Sequence, residues 1–297
     1  MRPRGAPAAS AWWIAARPQT LTAGAAPVLL GTALAAAEGH VRAGLALAAV
    51  AAALLLQIGT NFANDLFDFE RGADTKERRG PARAVATGLL APSQMRVATG
   101  VAFGGAALAG ATLVWAGGWP FALLGALAVA CGLAYTTGPF PLAYHGLGDA
   151  AVFVFFGVVA VAGSYAVQAQ AISARALLVS LPPACLVTAI LAVNNLRDIE
   201  TDAQAGKRTL AVRIGPVATR IYLASLFVLA YGGLVALVGA GVLGPAALAA
   251  LGTLPFGLRA AHDAVVCRDG PGLNRALVRT ARTHAAFTLL LAAGALA

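Results

Sequence analysis

Ala176-Leu-Leu-Val-Ser-Leu-Pro-Pro-Ala-Cys-Leu-Val-Thr-Ala-Ile-Leu-Ala-Val-Asn-Asn-Leu196 contains no Asp, Glu, Lys or Arg, and it runs straight into Arg197-Asp-Ile-Glu-Thr-Asp202. About 20 apolar residues suffice for one helix to cross a bilayer. Residues 18–37, 43–64 and 150–174 are uncharged runs of the same kind. The run 97–148 is about two and a half spans long. It breaks near Trp115–Pro120 and again near Gly138-Pro-Phe-Pro141, and so predicts two helices. The run 221–258 breaks near Gly239–Gly244 and predicts two more. The tail 283–297 is short, so its helix is expected to begin near Thr280, with Arg282 snorkelling to the headgroups. These segments predict an all-α, polytopic membrane protein of about nine transmembrane helices, formed by 1–297 as a single domain.

Composition agrees. The 297 residues are 59% hydrophobic and only 11% charged, whereas soluble domains carry about 25% charged residues. Thirty-four glycines lie largely in apolar stretches, where small residues let helices approach closely in lipid. Cys131, Cys185 and Cys267 show no paired spacing and read as packing residues. Arg17 and Pro18 interrupt the N-terminal apolar region, which argues against a cleaved signal peptide.

With the N-terminus inside, segments 1–17, 65–96, 138–147, 195–220 and 259–282 face the cytoplasm and hold 19 of the 21 Lys and Arg residues. The positive-inside rule therefore predicts an N-in protein of the cytoplasmic membrane, and it explains the net charge of +9 without nucleic acid as a partner. Eleven of the twelve acidic residues lie in or immediately beside those same segments, Glu38 being the exception.

Two acidic motifs stand out. Asn61-Phe-Ala-Asn64-Asp65-Leu-Phe-Asp68 closes one span and Asn194-Asn-Leu-Arg-Asp198-Ile-Glu-Thr-Asp202 closes another, four spans later. The spacings i, i+3 and i+4 place the polar groups of each motif on one helix face. Like charges so placed repel unless a cation lies between them. Carboxylates with room for water suit Mg²⁺, which commonly takes one or two protein carboxylates plus phosphate oxygens. Two such faces across a cavity could hold a diphosphate through bridging metal ions. The recurrence also suggests two similar helical halves.

Basic residues follow both motifs. Lys207 and Arg208, and then Arg78 and Arg79, are candidates to grip the diphosphate, although topology alone explains many such charges. Arg17 could meet a substrate carboxylate or anchor its helix. Tyr135 could face a cationic intermediate or sit as an interfacial aromatic. Asp149 reads as a helix N-cap and His145 as a loop histidine.

Asn64-Asp-Leu-Phe-Asp68 followed by Asp74, together with Asp198-x3-Asp202, resembles the paired motifs of the UbiA superfamily of intramembrane aromatic prenyltransferases. Ala16-Arg-Pro-Gln-Thr20, Tyr135-Thr-Thr-Gly-Pro-Phe-Pro141 and the string from Asn194 to Gly215 resemble its branch acting on 1,4-dihydroxy-2-naphthoate. In the broader superfamily the first motif commonly ends four residues after the preceding Asp; here that place is Gly72, and Asp74 comes two later. The resemblance implies helices around a central cavity. It implies Mg²⁺-dependent transfer of a polyprenyl chain from a polyprenyl diphosphate to 1,4-dihydroxy-2-naphthoate, with loss of CO₂ and formation of a demethylmenaquinone. It also implies that Asn61, Asp65, Asp68, Asp198 and Asp202 form the metal–diphosphate site. Asn64, Asn194, Lys207 and Arg208 fall on the same strings. Other acceptors (4-hydroxybenzoate, a haem, a chlorin) stay open, as do a CDP-alcohol phosphatidyltransferase and a cation-coupled transporter. The last two fit less well, because the phosphatidyltransferase Asp-Gly and Ala-Arg elements are missing and the charges lie at span ends rather than at the midplane.

Overall fold

The computed structural model describes residues 8–73 and 80–297, and all regular structure among them is helical. A short helix α1 (Ala8–Ala16) leads into α2 (Pro18–Ala37), α3 (Ala43–Glu70), α4 (Pro92–Gly117) and α5 (Trp119–Ala134). Then come α6 (Gly148–Ala169), α7 (Ala174–Arg197), the short α8 (Ile199–Gln204) and α9 (Leu210–Gly239). A 3₁₀ stretch, Pro245–Thr253, continues into α10 (Leu254–Val266), and α11 (Gly270–Leu296) ends the chain.

The breaks fall where glycine and proline require them. Gly118 adopts φ 80°, a conformation costly for other residues, and Trp119-Pro120 restarts the chain as α5. Six described helices are long and apolar enough to cross a membrane: α2, α3, α4, α6, α7 and α9. The expected nine are not reached on length and apolarity alone. The α5 helix has 16 residues, residues 245–266 mix two helix types, and α11 carries Arg275, Arg279 and Arg282. Nor does α11 begin near Thr280. It starts at Gly270, where the Asp269 carboxylate accepts from the Gly272 backbone N–H as an N-cap.

The α7 helix is the most buried candidate span and forms the hub against which α9, α11 and α6 pack. Pro182 and Pro183 lie inside it, which the surrounding helices tolerate at membrane depth. The core is built on close approach. A Cβ on Gly31 of α2 would stand 2.1 Å from the Val161 carbonyl oxygen of α6, and one on Gly157 of α6 would stand 2.2 Å from Ala184 Cβ of α7. Gly157 sits in a π-helical turn, Phe153–Val159, which widens α6 locally. Gly157→Leu should therefore force α6 off α7. We expect a destabilisation of at least ~1–3 kcal/mol, read as a lower unfolding midpoint in detergent; an unchanged midpoint would contradict this packing.

Large apolar side chains face outward as lipid-facing groups do, and Trp115 and Trp119 stand exposed at the end of the bundle away from the acidic motifs. At that far end the Tyr165 hydroxyl donates to Glu38, Arg175 Nη1 donates to Glu38 at 3.0 Å, and the Arg42 backbone N–H donates to Gln168 at 2.8 Å. The Tyr165 hydroxyl, then the Arg175 guanidinium, hold the Glu38 carboxyl below its ordinary value. A depressed acid pKa makes this tie contribute fully above the carboxylate range and fade as pH falls through it.

Candidate active site

The C-terminal ends of α3 and α7 meet at the same end of the bundle and line one cavity of about 360 Å³. Arg17, Asn61, Asn64, Asp68, Tyr135, Asn194 and Lys207 all contribute to its wall. The two acidic motifs therefore face each other. Lys207 Nζ stands between them, 3.6 Å from Asp68 Oδ2 and 4.0 Å from Asp202 Oδ1.

Each motif has a front and a back. At the back of the first, Asp65 accepts the backbone N–H groups of Ala84 and Val85 at 3.0 and 3.1 Å, so the chain after α3 is folded onto the site. Leu90 and Met95 bury against Phe62 and Leu66 beneath that fold. At the front, Asp68 Oδ2 accepts from Arg83 Nη2 at 2.9 Å, while Asp68 Oδ1 is buried without a hydrogen-bond partner among the described residues. In the second motif Asp198 is gripped by its neighbour Arg197, with Nε donating at 2.8 Å. Arg197 is 2% exposed and also donates to Asn194 at 2.8 Å and Asn274 at 2.7 Å, tying α7 to α11.

These donors suit a hard cation. Asp68 Oδ1 is an unsatisfied carboxylate oxygen at the cavity wall, with Asp202 across from it. No cluster of three or more His, Cys, Asp or Glu close enough to hold a metal occurs among the described residues. Mg²⁺ commonly takes only one or two carboxylates from a protein, with phosphate oxygens and water completing its shell. A carboxylate offers about four lone-pair positions, so the bonds made by Asp65 and Asp198 do not bar them from ligation.

Beyond this polar mouth the cavity becomes apolar. Tyr135, Thr60, Val152 and Phe156 line both it and a second, almost wholly apolar groove of about 860 Å³ between α3, α4, α5 and α6. The α5 wall has no buried residue. Tyr135 is held over Gly148, where a Cβ would stand 3.1 Å from its hydroxyl.

Not every candidate lands here. Arg208 is exposed and does not line the cavity; its carbonyl accepts from Arg213. Asp74, Arg78 and Arg79 lie outside the described residues. His145 donates to the Pro141 carbonyl at 2.9 Å and stacks on Phe140, a satisfied loop histidine. Asp149 makes no N-cap bond; it is buried and meets Asn195 at 3.5 Å. Sequence reasoning missed Gln57, Thr20, Arg197 and Asn274. Polar residues inside apolar spans were the available signal for the first two.

The profile of the UbiA prenyltransferase family matches residues 25–294. The chain belongs to the UbiA prenyltransferase family. With that membership the phosphatidyltransferase and transporter readings fall. Among relatives, the 1,4-dihydroxy-2-naphthoate octaprenyltransferase of Mycobacterium tuberculosis is 39% identical over 96% of this chain and 96% of its own. The enzyme of that name from Bacillus subtilis is 36% identical over 96% of this chain and 91% of its own. Solved UbiA homologues share the fold. One from Aeropyrum pernix superposes with a TM-score of 0.70 at 15% identity, covering 92% of this chain and 96% of its own. One from Archaeoglobus fulgidus bound to DMAPP and Mg²⁺ gives 0.65 at 12% identity, covering 94% and 98%.

Proposed function

We propose that this prenyltransferase moves a polyprenyl chain from its diphosphate to 1,4-dihydroxy-2-naphthoate in the cytoplasmic membrane, with loss of CO₂. The observation that carries the reading is the joining of a cationic and acidic mouth to a long apolar groove through the neck at Tyr135. Relatives carrying that activity in their names, at 36–40% identity, support the acceptor.

The diphosphate lies at the mouth, among Asp68, Asp202, Lys207 and Arg83. Asp65, Asp68, Asp198 and Asp202 would hold Mg²⁺, with Asp68 Oδ1 the most available oxygen. When bound, Mg²⁺ supplies Lewis-acid neutralisation of the departing diphosphate. Asn61 ties α3 to Ala16 and Thr20, Asn64 accepts from Thr136, and Asn194 accepts from Arg197, so each asparagine steadies its own motif. The prenyl chain threads the neck into the apolar groove, whose sparse polar lining keeps water from the allylic carbon. Tyr135 offers its ring to the positive charge developing there. The ring carbon bearing the carboxylate bonds to prenyl C1 as the C1–O bond to diphosphate breaks. The C–COO⁻ bond then cleaves, its electron pair restores the aromatic ring, and CO₂ departs. The α5 helix, residues 245–266 and α11 complete nine spans within one domain, and the acidic helix ends face the cytoplasm.

Purified protein offered labelled prenyl diphosphate with each of 1,4-dihydroxy-2-naphthoate, 4-hydroxybenzoate, a haem and a chlorin tests the acceptor. The naphthoate should be the one prenylated; preference for any other would overturn the assignment. Arg17 lines the mouth with φ 52°, a conformation uncommon outside glycine that turns the chain from α1 into α2 just before Pro18. Arg17→Ala should raise the KM for the naphthoate at least ~10-fold and leave that for prenyl diphosphate nearly unchanged, the pattern of binding lost on one substrate. Equal effects on both would make Arg17 an anchor instead.

A further inference from the structure

We propose that Gln57 selects the aromatic acceptor by accepting a hydrogen bond, at its side-chain oxygen, from the ring hydroxyl remote from the carboxylate. This rests on the naphthoate reading above. Gln57 lies on α3 one helical turn before Asn61, is 8% exposed, and lines the active-site cavity. Its neighbours fix which way its amide points.

The fixing begins at main-chain carbonyls, which only accept. Asn61 Nδ2 donates to the Ala16 carbonyl at 2.9 Å and to Thr20 Oγ1 at 3.1 Å. Asn61 Oδ1 is thereby turned toward Gln57. The Thr20 hydroxyl spends its one proton on the Arg17 carbonyl at 2.9 Å, so Thr20 Oγ1 can only accept from the others. Gln57 therefore presents its NH₂ to both, with Nε2 at 3.2 Å from Thr20 Oγ1 and 3.3 Å from Asn61 Oδ1. Turning the amide over would set two acceptor oxygens against each other at Asn61. Gln57 Oε1 is left over, and no protein group among the described residues donates to it.

An amide oxygen inside an apolar span needs a donor, and the cavity's contents must supply it. The two substrates differ sharply here. A prenyl diphosphate offers acceptor oxygens and a hydrocarbon chain, and a carboxylate also only accepts. Of all these groups only the ring hydroxyls donate. The carboxylate belongs with Arg17 at the mouth. Gln57 sits a turn deeper, which assigns it the hydroxyl on the far side of the ring. Fixed amide polarity makes this a discriminating contact. A site built to bond a hydroxyl rejects the analogue lacking it far more strongly than an apolar pocket rejects a missing methylene.

The test is a cycle of ligand against variant. Dissociation constants for 1,4-dihydroxy-2-naphthoate and 1-hydroxy-2-naphthoate are measured without prenyl diphosphate, so that neither reacts. The wild-type protein should favour the dihydroxy acid by roughly 10–100-fold. In Gln57→Leu, or in the nearly isosteric Gln57→Met if the first does not fold, that preference should collapse to within about threefold. Thr20→Val disturbs the same network but spares Oε1, so it should weaken both ligands while keeping the preference. A preference that survives in the Gln57 variants, or that is lost equally in Thr20→Val, overturns the role of Gln57 and leaves the naphthoate reading intact. A wild-type protein that binds neither acid overturns both.

Discussion

Asp68→Asn is expected to cut turnover by at least ~100-fold, the scale of loss when an electrostatic clamp on a leaving group is broken. Asp68 lines the cavity and shares Lys207 with Asp202 of the second motif. Its Oδ2 already balances Arg83 at 2.9 Å and Lys207 at 3.6 Å, while Oδ1 stands buried and unpartnered among the described residues. The asparagine keeps the shape and removes the charge. Arg83 and Lys207 remain, so the mouth becomes more positive and prenyl diphosphate should still bind. What should fail is retention of the metal. The Mg²⁺ concentration for half-maximal activity should therefore rise, and EDTA should abolish wild-type activity until Mg²⁺ is restored. Near-normal turnover with an unchanged Mg²⁺ requirement would remove Asp68 from the metal site. Asp65→Asn should behave differently. Its carboxylate anchors Ala84 and Val85, so part of its loss should appear as loosening of residues 80–90, seen as faster amide exchange there.

The second large effect is expected at Arg197. Its guanidinium is almost fully buried and reaches three groups: Asp198, Asn194 and, across to α11, Asn274. Removing one partner of a buried charge pair leaves the other uncompensated and commonly costs about 3–5 kcal/mol. Arg197→Met should lower the thermal midpoint in detergent by on the order of 10 °C and disable catalysis by releasing Asp198. Arg197→Lys keeps the charge but not the planar fork, so it should recover part of the stability and little of the activity. If Arg197→Met unfolds where the wild type does, the guanidinium is not what holds α7 to α11.

Much of this arrangement is legible in the sequence. Uncharged runs mark most of the helices, and Gly118 and Pro120 mark the break between α4 and α5, because lipid tolerates little else in a span. The i, i+4 spacing brings the two motifs to the same end of the bundle but does not set each on a single face: Asp65 turns back to Ala84 and Val85, and α7 ends at Arg197, so Asp202 belongs to α8. What escapes depends on contacts distant in sequence. Arg197 looks like one more cytoplasmic charge; only the docking of α11, with Asn274 77 positions away, makes it a buried keystone. Arg275, Arg279 and Arg282 hide the start of α11 from a hydropathy reading, although Asp269 already carries the capping signal at Gly270. The motif around Asp65 suggests a metal ligand, but its grip on Ala84 and Val85 depends on a chain reversal that no local pattern announces. Lys207 reaches the cavity while Arg208 turns away from it, a difference of one residue that a charge count cannot resolve.

The central claim is that one site, built from both acidic helix ends, joins departure of the diphosphate to replacement of the acceptor's carboxylate. It is tested most directly with 1,4-dihydroxy-2-naphthoate carrying ¹³C in its carboxyl group, given to purified protein with a prenyl diphosphate, and with CO₂, diphosphate and product mass followed together. The predicted result is ¹³CO₂, diphosphate and unlabelled prenylated product in equal amounts, in the presence of Mg²⁺ and not in EDTA. A prenylated product that keeps the ¹³C, or turnover that proceeds without divalent metal, would contradict it.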